Sequence, residues 1–96
     1  MSDIQERWVV IDKYPNYEVS DLGRVRNKNT KRIKKQSLGR DGRYLSVSLS
    51  NKNGENTQRV HRLVAETFLG KHPDLVVNHI DGNRENNRLD NLEWCT

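Results

Sequence analysis

A histidine at the end of an apolar stretch is the residue with the clearest chemical potential in this sequence. His79 follows Leu75-Val76-Val77 and Asn78, and it opens a polar loop that extends to Asp90. Imidazole exchanges protons near neutral pH, so a histidine fixed at a strand end can take a proton from water. Asn78 offers a carbonyl oxygen to a hard cation such as Mg²⁺. The pair therefore predicts metal-assisted hydrolysis of a phosphodiester.

The asparagines that follow His79 have two possible roles. Asn91 is predicted to orient the imidazole through its second ring nitrogen, a task often performed by a neighbour of the reacting groups. The alternative is that loop asparagines only form turns with their own backbone. We expect that second role for Asn83, Asn86 and Asn87. The predicted catalytic site is thus His79 with Asn91, and Asn78 is the predicted metal ligand.

Period-two alternation predicts strands ahead of this site. In residues 44–50, leucine and valine occupy every second position, as in a strand with one buried face. Asn53-Gly54 is a strong hairpin signal, so residues 55–59 should return antiparallel. Shorter strands are expected at 8–11, 17–20 and 31–35, with a turn at 14–17.

The hydrophobic period changes after residue 59. Apolar residues at helical spacing precede a glycine that should end a helix: Val60, Leu63, Val64, Phe68 and Gly70. Two further strands are expected at 75–77 and 92–95, on either side of the polar loop. The elements together predict an α+β fold with small antiparallel sheets.

Composition limits the class of protein. Hydrophobic residues make up 32% and charged residues 31%, but the regular periods argue against disorder. The single cysteine, Cys95, excludes a disulfide within one chain and a cysteine-based zinc site. The apolar runs are too short to span a membrane and no signal peptide is visible, so we expect an intracellular, cytoplasmic protein.

The positive charge is concentrated in one segment. The net charge of the 96 residues is +4, yet residues 24–43 alone contain nine Lys or Arg and one Asp. A basic surface of this kind is expected where a protein binds nucleic-acid phosphates. A solvated basic hairpin is the alternative, and composition leaves both open.

Several motifs together resemble a known nuclease family. They are Val60-His61-Arg62-Leu63-Val64-Ala65-Glu66-Thr67-Phe68, Val77-Asn78-His79-Ile80-Asp81-Gly82-Asn83, Asn86-Asn87 and Asn91-Leu92-Glu93-Trp94. This series resembles the HNH endonucleases of phage and intron homing type. The N-terminal part resembles the NUMOD4-like module that often precedes that domain, at Trp8, Ile11, Tyr14-Pro15-Asn16-Tyr17-Glu18-Val19-Ser20, Gly23-Arg24-Val25 and Tyr44. The resemblance implies a basic β module over residues 1–56 and an HNH domain over residues 57–96.

The resemblance also implies a role for each matching residue. His79 matches the general base that activates water, and Asn91 matches the asparagine that holds the histidine and its loop. Asn78 matches a position, often Asp, that binds one divalent ion, either Mg²⁺ or Mn²⁺. The implied fold is a ββα-metal motif, whose ion stabilises charge on the phosphate and on the leaving 3′ oxygen. The family's remaining ligand, a His or an Asn, lies on a helix that should begin at Thr96, so we expect that helix to be missing.

Double-stranded DNA is the partner that the resemblance implies. The residues expected to contact phosphates, which position a protein without specifying sequence, are Arg24, Arg26, Lys34, Lys35, Arg40, Arg43 and Arg62. The predicted function is a metal-dependent DNA endonuclease that nicks or cuts its substrate. The alternatives are a catalytically incomplete DNA-binding module derived from such a nuclease, or a chain completed by a homo-oligomer or a partner chain.

Overall fold

Antiparallel sheets and one α-helix make up the architecture. The computed structural model describes residues 5–40 and 42–96. Within these ranges the chain forms eight strands in three small sheets, one α-helix and a short 3-10 turn. The predicted α+β fold is confirmed.

The first sheet has the order β1 (Trp8–Ile11), β2 (Tyr14–Ser20) and β3 (Val25–Asn27). The predicted turn at 14–17 is wrong, because β2 already begins at Tyr14, which pairs with Ile11 next to a β-bulge. The chain reverses earlier, at Asp12 and Lys13. Tyr14 and Tyr17 are both buried, so burial of two aromatic rings outweighs the local turn preference of the Pro-Asn pair between them.

The second sheet has the order β4 (Ser37–Leu38), β5 (Leu45–Asn51) and β6 (Gly54–Arg59). The predicted β5–β6 hairpin is confirmed, with pairs that run from Asn51 and Gly54 to Ser46 and Arg59. Gly54 has a φ of 117°, which a glycine adopts without the steric cost that a side chain would meet.

The predicted strand at residues 31–35 is wrong, because this stretch makes a single bridge, between Ile33 and Arg26. Lys31 has a φ of 64°, which breaks extended geometry at the start of the segment. Because most of the charged side chains here are exposed to solvent, the segment lacks the buried face that stabilises a strand.

The helix and the last two strands follow the predicted pattern. Helix α1 (Val60–Phe68) buries its apolar side and ends before Gly70, whose φ is 85°. Strand β7 (Val76–His79) then pairs antiparallel with β8 (Leu92–Cys95). A 3-10 turn at Leu89–Asn91 leads directly into β8.

One hydrophobic cluster connects these elements. Its buried members are Ile11, Tyr14, Tyr17, Val19, Val25, Val47, Leu49, Val60, Leu63, Val64 and Leu92. They come from both sides of the boundary predicted at residue 57. The division of the chain into two domains at that boundary stays a prediction. Helix α1 packs between the sheets, and no helix in the described ranges is long and apolar enough to cross a membrane.

We expect the cluster to dominate folding stability. Leu49→Ala removes a side chain that is 0% exposed and should lower the free energy of unfolding by about 2–5 kcal/mol. Leu38→Ala makes the same chemical change at a side chain that is 51% exposed. Urea denaturation should show a loss for Leu38→Ala that is several-fold smaller, and equal losses would contradict this account of the core.

Candidate active site

His79 occupies the last position of β7, where it is held among aromatic rings. It pairs with Leu92 of β8 and is only 8% exposed. The imidazole centroid lies 5.3 Å from that of His61 and 6.1 Å from the ring of Tyr44. Because a paired strand fixes its main chain and two rings lie against its side chain, His79 has little freedom to rotate.

The hydrogen bond of His79 is made to Asn87. The imidazole Nε2 lies 2.7 Å from Asn87 Oδ1, and Asn87 is 4% exposed. An amide oxygen can only accept a hydrogen bond, so Nε2 donates its proton to it. Nδ1 is then the ring nitrogen that can accept a proton from water.

The expectation that Asn87 only forms a turn is therefore wrong. Nothing in the local pattern distinguishes Asn87 from the other asparagines of the loop. Its role depends on a contact with a strand residue eight positions earlier, which the loop must fold back to make. Asn83, by contrast, does form an Asx turn, because its Oδ1 accepts a hydrogen bond from Glu85 N.

Asn91 holds the loop rather than the imidazole. Its Nδ2 donates to Asp81 Oδ1 and to Asn86 O, both at 2.9 Å, and its Oδ1 accepts from Asp81 N. The predicted hydrogen bond from Asn91 to His79 is wrong. The 3-10 turn at Leu89–Asn91 directs the amide towards the start of the loop, so Asn91 ties that start to the beginning of β8.

Asp81 is the acceptor at the centre of this loop. Its carboxylate accepts hydrogen bonds from Asn86 Nδ2, Asn83 N and Asn91 Nδ2. The Asn86 bond is the largest of the causes that lower the pKa of Asp81 below its usual value. The loop is therefore built around an ionised carboxylate, although Asp81 itself is exposed to solvent.

Asn78 directly precedes His79 in β7. It is exposed, and its Nδ2 donates to Glu93 Oε1 at 2.9 Å across the β7–β8 pair. This bond leaves the Asn78 carbonyl oxygen available to a cation, next to a carboxylate. The described residues contain no group of three or more His, Cys, Asp or Glu suited to a metal ion. One or two hard oxygens fit a Mg²⁺ ion that keeps several of its waters.

Two of the predicted DNA-contacting arginines are engaged within the fold. Arg24 forms an ion pair with Glu6, and Arg26 Nε lies 2.8 Å from Glu18 Oε1. The Arg26 guanidinium also lies over the ring of Trp8, 3.9 Å from its centroid. The hydrogen bond from Arg24 is the largest cause that lowers the pKa of Glu6. Desolvation acts to raise the pKa of Glu18, but hydrogen bonds and charges from Arg26 and Lys31 outweigh it and lower that pKa.

Other basic residues are presented more openly. Lys34 and Lys35 line a groove together with Arg32, and the Lys34 Nζ lies 5.6 Å from the ring centroid of Tyr17. Lys35 and Arg40 are exposed, and neither has an ion pair with any residue of 5–40 or 42–96. Within those ranges, therefore, no ion pair neutralises either charge.

The last two predicted contacts differ in setting. Arg43 is exposed, just ahead of β5. Arg62 on α1 forms an i, i+4 ion pair with Glu66 at 3.2 Å, and its guanidinium lies 5.8 Å from the Trp94 ring centroid. The helix therefore holds Arg62 in an intramolecular pair, while its side chain stays partly exposed.

Comparison with known proteins matches both parts of this chain. The HNH endonuclease family profile matches residues 58–96, and the NUMOD4 motif matches residues 6–50. An uncharacterized HNH endonuclease, L245 of Acanthamoeba polyphaga mimivirus, is 44% identical over 89 residues, which are 92% of this chain and 26% of L245. The DNA endonuclease I-HmuI of Bacillus phage SP01 is 38% identical over 91 residues, which are 93% of this chain and 52% of I-HmuI.

The fold agrees with the sequence comparison. A solved structure described as "DNA binding and cleavage by the HNH homing endonuclease I-HmuI" superposes with a TM-score of 0.83 and 38% identity, over 94% of this chain and 52% of that one. This chain thus spans from a quarter to about half of the length of these relatives. By sequence and by fold, this chain carries an HNH endonuclease family domain over residues 58–96, preceded by a NUMOD4 motif over residues 6–50.

Proposed function

We propose that this chain acts as a DNA endonuclease, or as the nuclease part of one, with His79 as the general base. The observation that carries the proposal is the buried His79 ring, whose Nε2 is hydrogen-bonded to Asn87 while Nδ1 is left to accept a proton. The solved I-HmuI structure, which concerns DNA binding and cleavage, supports the same class of substrate.

The chain's own residues supply three parts of the reaction. His79 Nδ1 takes a proton from the attacking water as the water oxygen bonds to phosphorus and the bond between phosphorus and the leaving oxygen breaks. Asn87 keeps the imidazole oriented for that transfer, and the network around Asp81 and Asn91 keeps the loop closed. These groups are fixed before substrate arrives, which lowers the entropic cost of reaching the reactive geometry.

A divalent ion is the remaining part of the proposal. Asn78 would hold it through Oδ1, with Glu93 as the adjacent carboxylate, and Mg²⁺ is the ion that these hard oxygens favour, with Mn²⁺ as the second choice. When bound, such an ion supplies charge stabilisation to the phosphate and to the leaving oxygen.

Duplex DNA is the proposed partner, bound through the basic segment. Lys34, Lys35, Arg40 and Arg43, which are exposed or partly exposed, would contact the phosphates. Arg24 and Arg26 already neutralise Glu6 and Glu18, so we expect a smaller electrostatic contribution from them. Phosphate contacts of this kind orient the duplex without specifying its sequence.

His79→Ala should abolish most of the cleavage. A general base typically contributes a factor of about 10² to 10⁴, so nicking of supercoiled plasmid with Mg²⁺ or Mn²⁺ should fall by at least about 100-fold. His72→Ala is the matched control, since His72 is exposed and lies edge-on to Trp94. Equal rates for His79→Ala and the unmodified protein, or no cleavage by the unmodified protein with either metal, would contradict the proposal.

Salt dependence should separate the residues that contact DNA. Each phosphate contact removed should reduce the slope of log K against log salt by about 0.9, equally for unrelated sequences. We expect this change for Lys35→Ala and for Arg40→Ala, measured by fluorescence anisotropy over a salt series. Lys52→Ala, at the exposed β5–β6 turn, is the matched control. The same change in slope for Lys52→Ala would show that the basic segment is not the binding surface.

A further inference from the structure

We propose that Asn87 is a positioning residue that selects the tautomer of His79, and that the Gly23 turn of the NUMOD4 segment holds Asn87 in place. The inference rests on the proposed function, because it concerns the base of the same reaction. It adds a role for a part of the chain outside the residues that match the HNH family.

The orientation of the Asn87 amide decides which ring nitrogen of His79 carries the proton. With Oδ1 facing the imidazole at 2.7 Å, the neutral ring carries its proton on Nε2, and Nδ1 has a free lone pair. Rotation of the amide by half a turn would place Nδ2 there instead. Nε2 would then have to accept, the proton would move to Nδ1, and the nitrogen available to water would no longer be a base.

Hydrogen bonding does not by itself keep the Asn87 amide in this orientation. Asn87 Nδ2 is buried and makes no hydrogen bond to any described residue. A buried N–H without a partner is unfavourable, so the surrounding packing has to maintain the position of Asn87.

The packing against Asn87 comes from the turn at Gly23. Gly23 has a φ of 88°, and a Cβ built on it would lie 2.8 Å from Asn87 O and 3.1 Å from Asn87 Cβ. Real Cβ atoms do not approach main-chain oxygens so closely. The main chain of the Gly23 turn therefore lies directly against Asn87, at a distance that only glycine allows.

The Gly23 turn is itself fixed by hydrogen bonds at several points. Asp21 O accepts a hydrogen bond from Leu89 N at 2.8 Å, which joins the turn to the end of the loop that contains Asn87. Gly23 N donates to Ser20 O, and Gly23 O accepts from Gln36 Nε2 at 2.9 Å. A rigid turn in the NUMOD4 segment thus supports the polar side of the histidine site.

The tautomer can be measured without any cleavage assay. Nitrogen-15 imidazole spectra at alkaline pH should show neutral His79 with its proton on Nε2, the signals being assigned by their loss in His79→Gln. Asn87→Asp should retain this tautomer, because a carboxylate oxygen also accepts from Nε2. Asn87→Leu, which is similar in shape but has no acceptor, should lose the preference.

Several results would overturn the role of Asn87. A proton on Nδ1 in the unmodified protein would do so by itself, even if Asn87→Leu failed to fold. Retention of the Nε2 tautomer in folded Asn87→Leu would also do so, because a merely structural residue would change stability and leave the tautomer alone. Neither result depends on whether the chain cleaves DNA, so failure of the nuclease proposal remains distinguishable.

The Gly23 contact has a matched control in Gly70. Both glycines have nearly the same positive φ, 88° and 85°, but nothing lies within 4 Å of a Cβ built on Gly70. Gly23→Ala should therefore perturb the His79 signals and lower kcat for nicking by about tenfold or more with little change in KM, since small misplacements of reacting groups are costly. Gly70→Ala should leave both unchanged. The same His79 spectrum in Gly23→Ala as in Gly70→Ala would overturn the role of the turn.

Discussion

The structure of the site depends on one constraint: a buried imidazole has to be hydrogen-bonded on one nitrogen and left open on the other. His79 is buried at the end of β7, and Asn87 Oδ1 satisfies its Nε2. Burial without such a partner would be unfavourable for a polar ring. The rest of the HNH segment brings Asn87 from the polar loop to His79 Nε2 and keeps it there.

The loop achieves this with short polar side chains in place of a hydrophobic core. Asp81 accepts hydrogen bonds from three asparagine groups, and Asn91 connects the two ends of the loop. Short amides and carboxylates reach nearby main-chain groups easily, which explains the abundance of Asn and Asp here. Support from outside the loop comes from the Gly23 turn and from the rings of Tyr44 and His61, so residues of both matched segments surround the same histidine.

Local periodicity in the sequence was sufficient to predict much of the fold. Strand β5, the β5–β6 hairpin, helix α1 and strand β8 follow from alternation, from Asn53-Gly54 and from helical spacing, all of which act between near neighbours. The predicted turn at 14–17 and strand at 31–35 are wrong because tertiary burial decides both. Tyr14 and Tyr17 enter the core, while residues 31–35 have no face to bury. The resemblance implied that Asn91 holds the loop, but the local pattern could not predict that Asn87 and not Asn91 bonds to His79, since two asparagines of one loop differ only in where folding places them. The ion pairs of Arg24 and Arg26 depend on tertiary contacts in the same way.

In the proposed reaction His79 removes the proton from the attacking water, and chemical rescue is the sharpest measurement of that role. His79→Gly leaves a cavity that free imidazole can enter and where it can act as a base. Imidazole, added with the divalent ion, should restore nicking of supercoiled DNA by His79→Gly in a concentration-dependent way. An active unmodified protein, together with a His79→Gly variant that binds DNA but is not rescued at any imidazole concentration, would contradict it.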